Sequence, residues 1–148
     1  MKTSEFYGYR VRSTVEDDWR LAKAWSPEGS AYHFWLLQGF GRESFLVSAG
    51  EELIAFFQVE HRWMTQARLH FQASPAAGRK KILRGITKLV PLIEKALVLR
   101  GVRAIFFTSH SVIMSNFMEG MGYHPAGSGG EDGLIMAKRF PATETPSV

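Results

Sequence analysis

The sequence predicts an α/β (α+β) fold in one domain: a mixed, mostly antiparallel sheet of six to seven strands, with one central parallel junction and helices on both faces. Three observations carry this expectation. Three strand-like segments follow one another between residues 44 and 74 at hairpin distances. A long amphipathic segment, 79–99, follows the third of them and leads into a short β-rich run, VRAIFFT (102–108). A strand, a helix and a strand in that order make a right-handed parallel crossover. The chain has 148 residues, the usual size for a single core. The expected domain spans 1–140, and residues 141–148, PATETPSV, read as a flexible C-terminal tail.

The first element is YGYRVRST (7–14). Tyr7, Tyr9, Val11 and Ser13 alternate with Gly8, Arg10, Arg12 and Thr14, the period-2 pattern of a half-buried strand. Thr14 with Asp17 three residues later resembles a capping box, and Trp19, Ala22 and Trp25 follow at helical spacing. Ser26-Pro27 ends that helix, and Pro27 can open a second one through PEGSAYHFWLLQ, which stops near Gly39 and Gly41. SFLVSA (44–49), LIAFFQVEH (53–61) and ARLHFQAS (67–74) then form an antiparallel meander. In the last of these, Leu69, Phe71 and Ala73 share one face, and His70, Gln72 and Ser74 share the other.

Pro75 closes the meander. From Arg79 to Leu99, residues Ile82, Leu83, Ile86, Leu89, Val90, Ile93, Ala96 and Leu97 make a helical stripe, with Pro91 inside it as an expected kink. Arg100-Gly101 is the stop. VRAIFFT is a central strand, Ser109 or Ser111 can cap the helix VIMSNFMEGM, and Gly120 and Gly122 close it. A final strand pair, YHPAG and GLIMAKRF, flanks GSGGEDG, which reads as a mobile hairpin turn.

Composition narrows the function. Hydrophobic residues make up 45% and charged residues 22%, values that argue against wholesale disorder. No apolar run is long enough to span a bilayer, so no membrane partner is expected. MKTSEFYGYR has no apolar core and no cleavage site, so a secretory signal is not expected either, and a cytoplasmic location is. Cysteine is absent, which removes disulfides, thiolate metal sites and thiol nucleophiles together. The five histidines show no HxxxH or HExxH spacing, so no metal is expected. A formal net charge of +4 suits an anionic ligand. It lacks the runs or motifs of a nucleic-acid binder.

The element order, together with the stretch from ARLHFQASP to RAIFFTSHSVIMSNFMEGMGYHPAG, resembles the GNAT superfamily of acyl-CoA-dependent N-acetyltransferases. The likeness runs from about Tyr9 to Phe140, and Gly122-Tyr123 takes the place of the family's Gly-Phe pair. The resemblance implies that the strand at 67–74 and the parallel strand after the long helix splay apart. The gap would admit the pantetheine arm of acetyl-CoA, the co-substrate, and the acceptor would be a small-molecule or protein amine. The family's long helix begins at a Gln/Arg-x-x-Gly-x-Gly/Ala loop that holds the pyrophosphate of CoA. Here that loop is degenerate. Counted from Pro75, Gly78 stands at the Gln/Arg position, with Lys81 and Leu83 at the two small ones; counted back from Arg100-Gly101, only Gly85 is recovered. Gly78, Arg79, Lys80 and Lys81 are what the loop offers a phosphate.

For the acyl step the resemblance implies an oxyanion donor from the backbone of Gln72, Ala73 or Ser74. Met118 occupies the position of the family's tyrosine acid and cannot donate a proton, which leaves Tyr123 as a nearby phenol. Ser111 falls where the family often carries an Asn at the start of the following helix, and it also reads as an N-cap. His70 and His110, both at the expected gap, are the candidate general bases, with Glu60 and His61 behind them. His33, with Tyr32, Phe34 and Trp35, would shape an acceptor pocket, and the aromatics of 32–40 would suit a homodimer contact. The eroded loop and Met118 support an alternative: a catalytically inactive GNAT-fold structural or regulatory protein, phage-encoded in keeping with the degeneration that phage-encoded relatives often show.

Overall fold

A computed structural model describes residues 3–28, 30–62, 65–128 and 133–141. Residues 142–148 of the expected tail, and most of GSGGEDG, lie outside them. Eight strands form one sheet: β1 (Thr3–Phe6), β2 (Tyr9–Ser13), β3 (Arg42–Ala49), β4 (Glu52–Arg62), β5 (Gln66–Ala73), β6 (Ala104–Ser109), β7 (His124–Ser128) and β8 (Leu134–Arg139). Their spatial order is β1-β2-β3-β4-β5-β6-β8-β7. Every neighbouring pair is antiparallel except β5 and β6. The helices are α1 (Trp19–Trp25), α2 (Arg79–Leu99) and α3 (Val112–Glu119).

The parity of the strands sorts side chains between two cores. On one face Val47, Phe57, Val59, Leu69 and Ile105 pack against Ile86, Leu89, Val90 and Leu97 of α2 and Met118 of α3. On the other, Leu46 and Phe56 pack against Ala22, Trp25 and Trp35. The phase holds along β4–β5 and along β3–β4 as far as a bulge at Val47/Ser48; within those stretches a one-residue slip would invert it.

Three features depart from the sequence reading. The segment 7–14 is not one strand. Tyr7 and Gly8 both have positive φ, 52° and 84°, and form the two-residue turn between β1 and β2. This adds an edge strand beyond the expected six to seven. The cap of the first helical segment comes from Asp18, not Asp17: its carboxylate accepts from the Val15 N–H at 2.8 Å and is gripped by Arg12 at 2.7 and 2.9 Å. The expected second helix is a single 3-10 turn, Tyr32–Leu36. The Phe34 carbonyl, which an α-helix would offer to residue 38, accepts from the Leu37 N–H at 3.3 Å and from Gln58 Nε2 at 2.6 Å. The long helix α2 has the expected bounds and holds Pro91 inside a continuous helix.

The end of α3 explains Gly122-Tyr123. Gly122 has φ +96°, and the Tyr123 N–H reaches back to the Met118 carbonyl at 3.0 Å. This is a left-handed helix stop that a side chain would strain.

Candidate active site

The parallel contact between β5 and β6 is short. Only Gln66, Ala67 and Arg68 pair with Ala104, Ile105 and Phe106. From Leu69 onward β5 follows β4, with which it pairs as far as Ala73, while β6 follows β8 as far as Ser109. The two strands therefore fork. A cavity of about 420 Å³ occupies the fork, lined by Leu69, His70 and Phe71 of β5, Phe107, Thr108 and Ser109 of β6, and side chains from both faces of the sheet.

The fork leaves backbone groups without strand partners. The Ser74 N–H donates to the Ile54 carbonyl at 2.7 Å. Alternation then turns the N–H groups of His70 and Gln72 toward β4 as well, and those of Leu69, Phe71 and Ala73 toward the gap. The Thr65 carbonyl, of the same parity, indeed accepts from β6-side amides, Arg103 at 2.7 Å and Ala104 at 3.2 Å. Of the three candidate oxyanion donors, Ala73 alone faces the opening. Ser74 is committed to Ile54, and Gln72 points the same way, its side chain donating to the Ala73 carbonyl at 3.2 Å.

His70 stands just beyond the closed end of the fork, on the face that carries Phe34 and Trp35. Its Nε2 lies 3.0 Å from Glu60 Oε2, and its ring meets Phe34 edge-on at 4.8 Å. Glu60 is buried. Burial pushes its carboxyl upward, but hydrogen bonds from His70 and from Arg62 Nε, at 2.7 Å, outweigh that and hold it below the usual range. Burial lowers the affinity of His70 for a proton, and Glu60 only partly offsets this. His70 is thus neutral at neutral pH. With Nε2–H donated to an ionised carboxylate, Nδ1 is left as the basic nitrogen.

The remaining candidates are placed less centrally. His110 lines the cavity but is exposed, directly after β6. Ser111 lines it too and caps α3, accepting from the Met114 N–H at 3.3 Å. Met118 is a buried cavity wall. Tyr123 does not reach the cavity. It is fully buried, and its hydroxyl donates to Glu94 Oε2 at 2.9 Å. Burial and the neighbouring Glu94 charge push the phenol far above its ordinary value. Phe34 and Trp35 line the cavity, whereas His33 is exposed and Tyr32 packs with the α1 cluster. In the segment considered for a dimer contact, Leu37 and Phe40 are the exposed large apolar groups among the described residues.

At the start of α2, Gly78 is the N-cap and no side chain caps the helix. The N–H groups of the first turn are therefore free to face an anion. Gly78, Arg79, Lys80 and Lys81 are all exposed. Lys81 is paired with Glu52, so Arg79 and Lys80 are the cations without a carboxylate partner among the described residues. Gly85 serves packing instead: a Cβ there would stand 3.4 Å from the Tyr9 ring. No cluster of three metal-ligating His, Asp or Glu side chains occurs among the described residues. No helix among them is long and apolar enough to cross a membrane.

Sequence reasoning ranked Glu60 behind the histidines and passed over the arginines around it. Register was the signal. Glu60 pairs with Arg68 across the β4–β5 ladder, which places His70 diagonally beside it on the same face.

A forked parallel pair in a mostly antiparallel sheet, with a long helix crossing between the two strands, defines the GNAT class of fold, and the chain has that fold. Solved structures agree. The chain is similar to the ribosomal-protein-S18-alanine N-acetyltransferase of Escherichia coli, at 18% identity and TM-score 0.70, covering 93% of this chain and 98% of that one. It is similar to the GNAT domain of S. lividans PAT, at 17% identity and TM-score 0.66, covering 89% and 90%. It is also similar to the spermidine/spermine N-acetyltransferase of Vibrio cholerae, at 11% identity and TM-score 0.67, covering 88% and 90%. No protein-family model and no curated protein sequence matches the chain.

Proposed function

We propose that the chain is an acyl-CoA-dependent N-acyltransferase that moves an acetyl group from acetyl-CoA to an amine, by direct attack in a ternary complex. The observation that carries this reading is the fork itself: a cavity between β5 and β6 with His70 on its wall and Glu60 behind that ring. The residues present fit the co-substrate. Unpaired amides of Leu69, Phe71 and Ala73 suit the two amides of a pantetheine arm, and the uncapped start of α2 with Arg79 and Lys80 suits its phosphates. Acetyl-CoA supplies the acyl carbon already activated as a thioester.

The protein's own part follows from geometry. His70 Nδ1 takes the proton shed by the amine nitrogen as that nitrogen bonds to the acyl carbon. The carbon–sulfur bond breaks and the sulfur departs as thiolate, protonated by solvent. Glu60 holds the ring in the tautomer that makes Nδ1 the base and stabilises the imidazolium. The Ala73 N–H, facing the gap, is placed to donate to the carbonyl oxygen as it gains charge. Tyr123 has no part in this scheme, because its hydroxyl is spent on Glu94. The acceptor is a small-molecule or protein amine. A homodimer resting on Leu37 and Phe40 is a subsidiary proposal that sedimentation would test.

Calorimetric titration with acetyl-CoA tests the donor site, and thiol release with an amine panel tests transfer. Saturable binding that weakens in Lys80→Glu supports the reading. Absence of binding at millimolar acetyl-CoA overturns it.

A further inference from the structure

Beyond the donor, the acceptor side of the fork has a marked charge. Arg42 Nη2 lies 3.8 Å from Glu60 Oε1, and Arg62 Nε lies 2.7 Å from the same oxygen. Arg68 faces Glu60 across the ladder and sits two residues from His70 on the same face of β5. That makes three guanidiniums against one carboxylate. Arg68 has no carboxylate within ion-pair reach among the described residues. Both Arg68 and Arg62 act on His70 through their charge. Arg42 also stands 5.9 Å from the centre of the Phe34 ring, which touches His70 and lines the cavity.

The single carboxylate is already engaged by His70 and Arg62, so it offers little to an incoming cation. A free polyamine would bring two or more positive charges against uncompensated guanidiniums. An acceptor with its own anion would instead satisfy them, since a guanidinium presents a planar fork of donors that matches carboxylate or phosphate oxygens. The neighbouring Phe34 and Trp35 offer an apolar wall for the rest of such a molecule.

We propose that the acceptor is an amine bearing its own carboxylate or phosphate, that Arg68 binds that anion, and that Arg42 and Arg62 repel polycations from the same face. This rests on the acyl-transfer reading and names its substrate class. The amine nitrogen then faces His70 while the anion lies toward the closed end of the fork.

Matched pairs test it: phenylalanine against phenethylamine, and O-phosphoethanolamine against ethanolamine, with spermidine as the polycation. In thiol-release assays, kcat/KM should favour the anionic member of at least one pair by about tenfold or more. Which pair shows the preference separates carboxylate from phosphate. Arg68→Gln should bring the ratio close to one, chiefly by raising KM, and Arg68→Glu should invert it. Arg42→Gln should shrink the ratio from a second strand. A preference for the members that lack the anion or for spermidine, or ratios untouched by these variants, overturns the proposal. Acetyl-CoA calorimetry on the same protein reports separately on acyl transfer. Should the donor fail to bind, titration of each pair followed on the His70 ring resonances still decides the matter. A stronger, Arg68-dependent response to the anionic member supports the assignment, and equal or absent responses overturn it.

Discussion

Three carboxylates are buried beside ionisable partners among the described residues; Asp18 is held by Arg12 at a helix start, while Glu60 and Glu94, one on each face of the sheet, have opposite fates. Glu60 meets His70 where β5 and β6 separate, and the ring opens onto a cavity. Glu94 of α2 meets the Tyr123 hydroxyl at 2.9 Å and Lys138 Nζ at 3.2 Å, packed over the α2 face with Tyr123 fully buried. Lys138 also donates to the Met121 carbonyl at 2.9 Å, closing that cluster on itself. Residue type does not distinguish the two groups, since a phenol and an imidazole both serve as proton carriers. Position relative to the fork does. Where the ladder continues, polar side chains satisfy one another; where it parts, one nitrogen remains free.

The sharpest way to break this comparison is to remove each partner in turn. His70→Ala should lower kcat for acetyl transfer by about a hundred- to ten-thousand-fold, the usual worth of a general base, with acetyl-CoA affinity nearly unchanged by calorimetry. The rate in the parent protein should rise with pH through a value below 6.5 and be level by neutrality, because burial keeps His70 deprotonated there. A limb that survives in His70→Ala would move the base elsewhere, His110 first.

Glu94→Ala should act on stability instead. It strands the Tyr123 hydroxyl and the Lys138 ammonium in a largely buried site, at a cost of about 2–4 kcal/mol, somewhat below a fully buried pair because Lys138 retains some exposure. Urea denaturation measures it. Tyr123→Phe is milder, about 1–2 kcal/mol, since Glu94 loses one donor and keeps Lys138. Its transfer rate should match the parent's. A hundredfold loss of rate in Tyr123→Phe would restore the phenol as the acid.

These contrasts also measure how far the sequence could be read. The 79–99 helix has the bounds its apolar stripe gave, because i, i+3, i+4 spacing and the Gly78 and Arg100 ends are local signals. The crossover followed from order alone. The 3-10 turn at Tyr32–Leu36 was illegible, because a partner of its Phe34 carbonyl is Gln58, 24 residues away, alongside Leu37. The hairpin at Tyr7-Gly8 was hidden because alternation continues through it. In the site, His70 was visible as a histidine on a fork strand, whereas the arginine cluster depends on the β4–β5 register, which letters do not state. Tyr123 stood in a recognisable place, and only its partner Glu94 shows why it is sealed.

The smallest expected effect separates the two clusters by pH. His70 binds its proton less tightly in the folded chain than its ordinary 6.5. As pH falls below 6.5, the unfolded chain takes up a proton that the folded one refuses, so stability declines. Glu60, held below its ordinary 4.5, extends the decline as pH falls past that value. Tyr123 has the opposite sign. Its phenol is raised, so above its ordinary 10.0 the unfolded chain sheds a proton that the folded one keeps, and stability declines as pH rises. Urea midpoints measured from pH 4 to 11 should therefore fall at both ends. His70→Ala should flatten the arm just below 6.5 and leave the alkaline arm, and Tyr123→Phe should do the reverse. If one substitution altered both arms, the two clusters would be coupled through the sheet, and the contrast between an open and a sealed carboxylate would fail.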